Sequence, residues 1–278
     1  MSVVNSNIRA VTAQQAMVVN QRDLSAAVQQ LATGKRINSA ADDAAGLAIG
    51  TKLGTRVISL DMAVRNANDG ISLLQTADGA AGVLSDMLFR VRELAIQSSN
   101  DTNSTTDRQA IQTEVASLQS QIGSVLENTE WNGMKVLKGQ AGNSGTIAFH
   151  IGPASTDSVS LSMASLDTGS LASVQTTASV DVSTRTGATT ALSVLDSALT
   201  EVNQARSLWG ATANRLVYAA DNAANVSLNS SASRSQIMDT DYAQATAELA
   251  RSLILDQAGA AMLSQANQQP MYVLSLLS

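Results

Sequence analysis

Few residues in this chain are of a type that does covalent or metal chemistry. Of its 278 residues, one is histidine and none is cysteine. A Cys–His nucleophile pair or a His-based zinc site cannot be assembled from that stock. Asp239 and Asp241 flank Thr240 with the spacing of two carboxylate ligands. A calcium loop needs roughly six to eight oxygens, and no further ones cluster beside this pair. The expectation is a helix start, where a carboxylate accepts from free backbone N–H groups. Gly34-Lys35 lacks the other glycines and the strand–loop–helix setting of a phosphate loop. Gly46 and Gly50 are spaced like a membrane-helix dimer motif but lie in polar, charged sequence. His150 alternates with Phe149 and Ile151, which reads as the outward side of a strand. No catalytic residue, metal site or cofactor is expected.

The question therefore moves to the elements themselves. Net charge is −6, with no basic stripe of the kind that neutralises phosphates, so no nucleic acid is expected. Like charges do not run together, and no apolar run approaches the roughly 18 residues of a membrane span. Membrane insertion is not expected either. Aromatic residues make up only 3 % and alanine is abundant. Small side chains allow close helix packing but bury little area each, which suits a long, thin bundle. Without disulfides, the chain must hold itself by packing or assembly. No basic n-region with an apolar h-region opens the sequence, so these rules alone place it in the cytosol.

The organising stretch runs from Leu53 to Ala95. Leu53, Leu60, Ala63, Ala67, Leu74, Ala77, Ala81, Leu84, Leu88, Val91 and Ala95 repeat at heptad spacing. This seam keeps one helix face against a partner helix. Arg56 and Gly70 interrupt it without breaking phase. A helix from about Asp42 to Ser99 would be roughly 85 Å long. A second long helix, about Thr189 to Asn229, carries Leu192, Leu195, Leu199, Val202, Trp209, Ala213, Leu216, Ala220 and Ala223 in matching phase. The two are expected to pair antiparallel. Ile111, Val115, Leu118, Ile122 and Val125 mark a third helix between a polar loop and Asn128.

The remaining segments are weaker. Residues 1–33 form a narrow amphipathic helix that Gly34 ends, with Ser39 expected to cap the next. Asn132-Gly133 makes a turn. Ile147, Phe149 and Ile151, then Val159, Leu161 and Met163, alternate on either side of Gly152-Pro153, which predicts a β-hairpin. Val174, Val180 and Val182 are ambiguous. Ser230–Ser235 reads as a polar break, and a last helix is expected from about Asp239 to Pro270, followed by an apolar tail. The fold class is mainly α: a long antiparallel helical bundle with a small β-hairpin region and paired terminal helices. Expected segments are 1–41 with 235–278, 42–140 with 188–234, and 141–187. Neither terminal helix has a full core of its own, so burial against other copies is expected.

Several stretches, in order, resemble the bacterial flagellins. The run from Leu31 through Gly34-Lys35-Arg36-Ile37-Asn38 to Gly46 resembles that family's connector. Arg65–Ser72 and Arg90–Ser98 resemble its long helix, and Trp131-Asn132-Gly133 its turn, with Trp131 where Phe is usual. Asp241-Tyr242-Ala243, Gln257-Ala258-Gly259, Gln265–Gln268 and Val273–Leu277 resemble its C-terminal segment. The resemblance implies a self-assembling subunit of the extracellular flagellar filament in a minimal form without large outer domains. It implies docking through Val4, Ile8, Val11, Leu24, Leu249, Leu253, Leu263, Val273, Leu276 and Leu277. It further implies export by the flagellar type III apparatus with a chaperone, which would account for the missing signal peptide, and contact with hook–filament junction and cap proteins. Leu88, Arg90, Leu94 and Glu114 fall where the family meets the animal Toll-like flagellin receptor or an axial neighbour. Phe89 stands there in place of the usual Gln. The rival readings are a hook–filament junction protein and a secreted adhesin or ligand-binding module.

Overall fold

The computed structural model describes residues 6–143, 145–163, 165–176 and 179–275, with side chains described as far as residue 268. Ten elements follow in order. They are α1 (Ile8–Thr33), α2 (Ala44–Ser99), α3 (Thr105–Asn128), β1 (Glu130–Trp131), β2 (Met134–Lys135), β3 (Thr146–His150), β4 (Ser158–Ser162), α4 (Ser170–Val174), α5 (Arg185–Met238) and α6 (Tyr242–Ser275). The chain divides into two compact units, residues 58–227 and residues 1–57 with 228–278.

The larger unit is built on the α2 seam. Leu60, Ala63, Ala67, Leu74, Ala77, Ala81, Leu84, Leu88, Val91 and Ala95 are all buried, as the heptad spacing predicts, whereas Leu53, which opens the predicted seam, is only half-buried. Leu73, Ser85, Leu94 and Ser98 are buried beside them, so the inward face is wider than a two-position seam. That width is needed because α2 meets both α3 and α5 in one core with the middle segment. From α5 come Leu195, Leu199, Val202, Trp209 and Leu216. Each fully buried Leu or Trp contributes about 1.5–3 kcal/mol by leaving water.

Polar rungs show that α2 and α5 run antiparallel. Arg92 donates to Asp196 at 2.8 Å, Arg206 to Asp78 at 2.7 Å, and the Ser227 hydroxyl to Asp61 at 2.8 Å. The interruption at Gly70 is filled from elsewhere in the chain. A Cβ there would lie 2.8 Å from the Phe149 ring and 3.0 Å from Leu216 Cδ1. Phe149 belongs to the β3–β4 hairpin, whose register pairs Ile147 with Leu161 and Phe149 with Val159. The alternating face predicted for that hairpin is the one turned to the core. Val174, Val180 and Val182 are fully buried too. Their segment is strapped down by Gln119, which donates to the Val174 carbonyl at 2.7 Å, and by Gln112, which accepts from the Val182 amide at 2.7 Å.

Several expectations need correction. The α3 stripe is Ile111, Val115, Gln119, Ile122 and Leu126. Leu118 and Val125 lie on its flank, because Gln119 is drawn inward by the Val174 carbonyl. Ser39 does not cap α2. It sits in a turn before the helix, and Asp43 accepts from the Gly46 amide at 2.8 Å instead. Asp42 accepts from the amides of Asn38 and Ser39, which hold its carboxyl below the usual range. Ser230–Ser235 does not break α5. The helix continues to Met238, with the Ser233 hydroxyl bonded back to the Asn229 carbonyl and Ser230 buried. Serine is only a mildly poor helix former, and packing overrides it.

Local signals elsewhere behave as their chemistry requires. Asn132 and Gly133 take φ of 48° and 77°, the left-handed pair that a two-residue hairpin turn demands. At α3 the Ser104 hydroxyl accepts from the Asp107 amide while the Asp107 carboxylate accepts from the Ser104 amide, a reciprocal cap.

Candidate assembly surface

The smaller unit holds the two terminal helices, α1 and α6, packed along one another. Their interface is thin. Ala27, Ala245, Ser252 and Ala266 are its buried side chains. Gly259 lets α1 approach closely, since a Cβ there would lie 2.9 Å from Met17 Cγ. Two asparagines stitch the helices together, Asn20 donating to the Ser252 carbonyl and Asn7 to the Ala266 carbonyl, each at 2.8 Å. The second bond has a specific cause. In an unbroken helix the residue-270 amide would bond to the Ala266 carbonyl, but that residue is Pro270, which has no N–H. The Asn7 amide satisfies the acceptor that proline leaves free, and α6 runs past Pro270 to Ser275, where a helix end was expected.

The connectors at the base of the pair are joined by backbone. Gly34 ends α1 at φ 69°, its amide bonded to the Gln30 carbonyl. The Arg36 amide then donates to the Met238 carbonyl at 2.7 Å and the Thr240 amide to the Gly34 carbonyl at 3.0 Å. Asp241 accepts from the Ala243 amide at 2.9 Å, the helix-start role expected for it. Among the described residues no group of acidic, histidine or cysteine side chains is placed to hold a metal. His150 is exposed at the end of β3, where it pairs with Ser158, and its carbonyl accepts from Asn66 at 3.0 Å.

What the thin interface leaves outside is apolar. Ile8 is 64 % exposed, Val11 61 %, Ile254 66 % and Met262 64 %. Val18, Val19, Val28, Leu253 and Leu255 are also exposed. A groove of about 650 Å³ lies between the helices, with Met17, Leu255, Ala258 and Met262 in its walls. Scattered apolar residues on a surface are ordinary, but this many large apolar side chains left exposed on two adjoining helices make α1 and α6 the candidate interaction surface. Of the docking residues read from sequence, Ile8, Val11 and Leu253 lie on this face, and Leu24, Leu249 and Leu263 are half-buried. Val4, Leu276 and Leu277 lie outside the described residues, as does the Val273 side chain. Seam periodicity leaves out Val19, Ile254 and Leu255. Their signal is a run of neighbouring apolar residues too wide for one helical stripe.

The second candidate set separates differently. Leu88 and Leu94 are buried in the bundle core, so neither offers its side chain to a partner of the folded chain. Arg90 and Glu114 are at the surface, with Arg90 donating twice to one Glu114 oxygen, at 3.0 and 2.8 Å, and once to Glu93 at 3.2 Å. These bonds, to Glu114 first, raise the Arg90 pKa. Phe89, 51 % exposed, stands next to them.

No helix among the described residues is long and apolar enough to cross a membrane. Residues 4–142 match the bacterial flagellin N-terminal helical region and residues 192–277 the C-terminal helical region. A flagellin of Halalkalibacterium halodurans is 40 % identical over 276 residues, covering 99 % of each chain. The Bacillus subtilis flagellin is 36 % identical over 301 aligned residues, again covering 99 % of each. The crystal structure of Bacillus cereus flagellin superposes with a TM-score of 0.50 at 31 % identity, covering 57 % of this chain and 88 % of that one. With both helical regions matched and kinship running the full length of its relatives, this chain belongs to the bacterial flagellin family, a structural protein family, and is a subunit of the extracellular flagellar filament.

Proposed function

We propose that the subunit polymerises by docking the exposed face of α1 and α6 against neighbouring copies. Ile8, Val11, Leu24, Leu249, Leu253 and Leu263 are the described contact residues, and Val4, Val273, Leu276 and Leu277 extend the set at the chain ends. The observation that carries this is the apolar face itself, two helices held together by alanines and asparagines with their larger side chains turned outward. Burying a Val, Leu or Ile side chain contributes about 1.5–3 kcal/mol, so a few such contacts per copy hold a polymer. On this reading residues 1–41 and 235–278 serve assembly, 42–140 with 188–234 serve the subunit's own stability, and 141–187 form the variable segment.

The same weakness suits passage through the flagellar type III export apparatus with a chaperone, because a thin helix pair opens at little cost. Growth then places each copy between a junction protein and a cap. For the animal Toll-like receptor the reading narrows to Arg90 and Glu114 with Phe89, and a reporter-cell assay with Arg90→Ala monomer tests it.

The deciding experiment is removal of residues from Tyr272 onward. Truncated protein is expected to stay monomeric under seeds and precipitating salt that drive the full chain into long filaments, with monomer melting unchanged. Long filaments from the truncated chain would overturn the assignment of the C-terminal end to docking.

A further inference from the structure

One side chain serves two helices at the start of α1. Asn7 is the N-cap of that helix, and its Oδ1 accepts from the Ala10 amide at 3.2 Å. The Nδ2 of the same side chain donates to the Ala266 carbonyl of α6 at 2.8 Å. The two bonds ask for different chemistry. A cap needs only a side-chain oxygen, which Asp and Ser supply as well as Asn does. The bond to Ala266 needs an N–H donor with the reach of an amide. Among the side chains that cap helices well, only that of asparagine carries both groups.

The acceptor is one that α6 itself leaves short. Pro270 offers no N–H to the Ala266 carbonyl, and a proline ring in a helix also presses on the carbonyl one turn back. Such a proline ordinarily kinks or ends a helix, yet α6 continues to Ser275. Ala266 is buried, so water is a poor substitute for the missing donor, and an acceptor left unpaired there is costly.

We propose that Asn7 is a positioning residue for assembly, bridging the two chain ends so that the C-terminal end of α6 is held in line for docking only when α1 lies beside it. The inference rests on the reading of α1 and α6 as docking helices. Asn7 and Ala266 are 259 positions apart, so the bridge forms only after both ends of the chain have arrived. Until then the proline leaves the last turns of α6 without one of the bonds that tie them to the rest of the helix. A subunit delivered unfolded to the growing end therefore completes its C-terminal docking helix by recruiting its own N-terminus. The proline makes that order of events obligatory, because an ordinary residue at 270 would let α6 close its own ladder.

The test measures elongation of the full chain on filament seeds, with the critical concentration as readout and the melting of the larger unit as control. Asn7→Ser keeps a cap for α1 but does not reach Ala266, and is expected to raise the critical concentration about tenfold, the effect of one buried acceptor left unpaired. Asn7→Asp keeps the cap and sets a carboxylate against the carbonyl, and is expected to raise it at least as much. Melting of the larger unit is expected to stay unchanged in both. The distinguishing readout is rescue by Pro270→Ala, whose new amide takes the Ala266 carbonyl within α6. Pro270→Ala is expected to recover most of the loss in the Asn7→Ser background and to change elongation far less where Asn7 is present. Asn7→Ser elongating as wild type does would overturn the proposal. So would a loss that Pro270→Ala leaves in place, or an equal effect of Pro270→Ala in both backgrounds. Failure of wild type itself to elongate would instead refute the docking reading.

Discussion

Phe149 and Gly70 make the most incisive test of how the larger unit is packed. The ring fills the place where the α2 seam lacks a side chain, with Leu216 on its other flank. Phe149→Ala removes a nearly buried ring, and such changes cost about 3–5 kcal/mol. We expect about 3 kcal/mol, because the residue sits on a two-stranded hairpin that can settle toward the helix. At roughly 2–4 °C per kcal/mol for a domain of this size, the melting temperature falls by about 6–12 °C. Gly70→Ala separates this account from generic damage. In the wild type its methyl meets the ring at 2.8 Å, and overpacking of about 1–3 kcal/mol outweighs the roughly 1 kcal/mol gain in helix propensity. In the Phe149→Ala background the ring is gone, only the Leu216 methyl at 3.0 Å is close and can shift into the vacated space, and the propensity gain prevails. The same substitution therefore changes sign, with a coupling near 2 kcal/mol. Urea unfolding followed by tryptophan fluorescence measures all four corners of the cycle. Coupling below about 0.5 kcal/mol, the range of simple additivity, would refute the ring-on-glycine contact.

Leu84→Asp places a carboxylate at a fully buried seam position. It is expected to cost more than about 4 kcal/mol, read as a collapse of the urea midpoint, and an unchanged midpoint would remove Leu84 from the core. Glu127 takes hydrogen bonds from Lys135 and Lys138, which lower its pKa to about 2. A carboxylate depressed by folding stabilises above its unfolded pKa, and that contribution is lost as pH falls from about 4.5 toward 2. Glu127→Gln is therefore expected to lower stability slightly at pH 7 and to flatten the decline below pH 4.5. The effect stays small because the carboxylate is half-exposed. Identical pH profiles for the two proteins would show the triad inert.

Local signals were readable where the physics is local. The α2 seam, the stop at Gly34, the Asn132-Gly133 turn and the alternation of Ile147, Phe149 and Ile151 all act within a few residues, and each appears as read. Polar residues misled where their partners are remote. Gln119 reads as surface until the Val174 carbonyl is beside it, and Ser230–Ser235 reads as a break until packing carries the helix through. Pro270 reads as a stop because the group that takes up its orphaned carbonyl, Asn7, sits at the opposite end of the chain.

The assembly surface divides along the same line. Sequence by itself determined that the terminal helices are amphipathic and too poor in large apolar groups to stand alone. Hydrophobic periodicity records how much apolar surface a helix must cover. Only tertiary structure decided which side is covered. It turned Ile8, Val11 and Leu253 outward and spent alanine and glycine on the α1–α6 contact. It likewise sent Leu88 and Leu94 into the core while leaving Arg90 and Glu114 on the surface. A stripe specifies a need for a partner, and the partner is chosen by contacts between residues far apart in the chain.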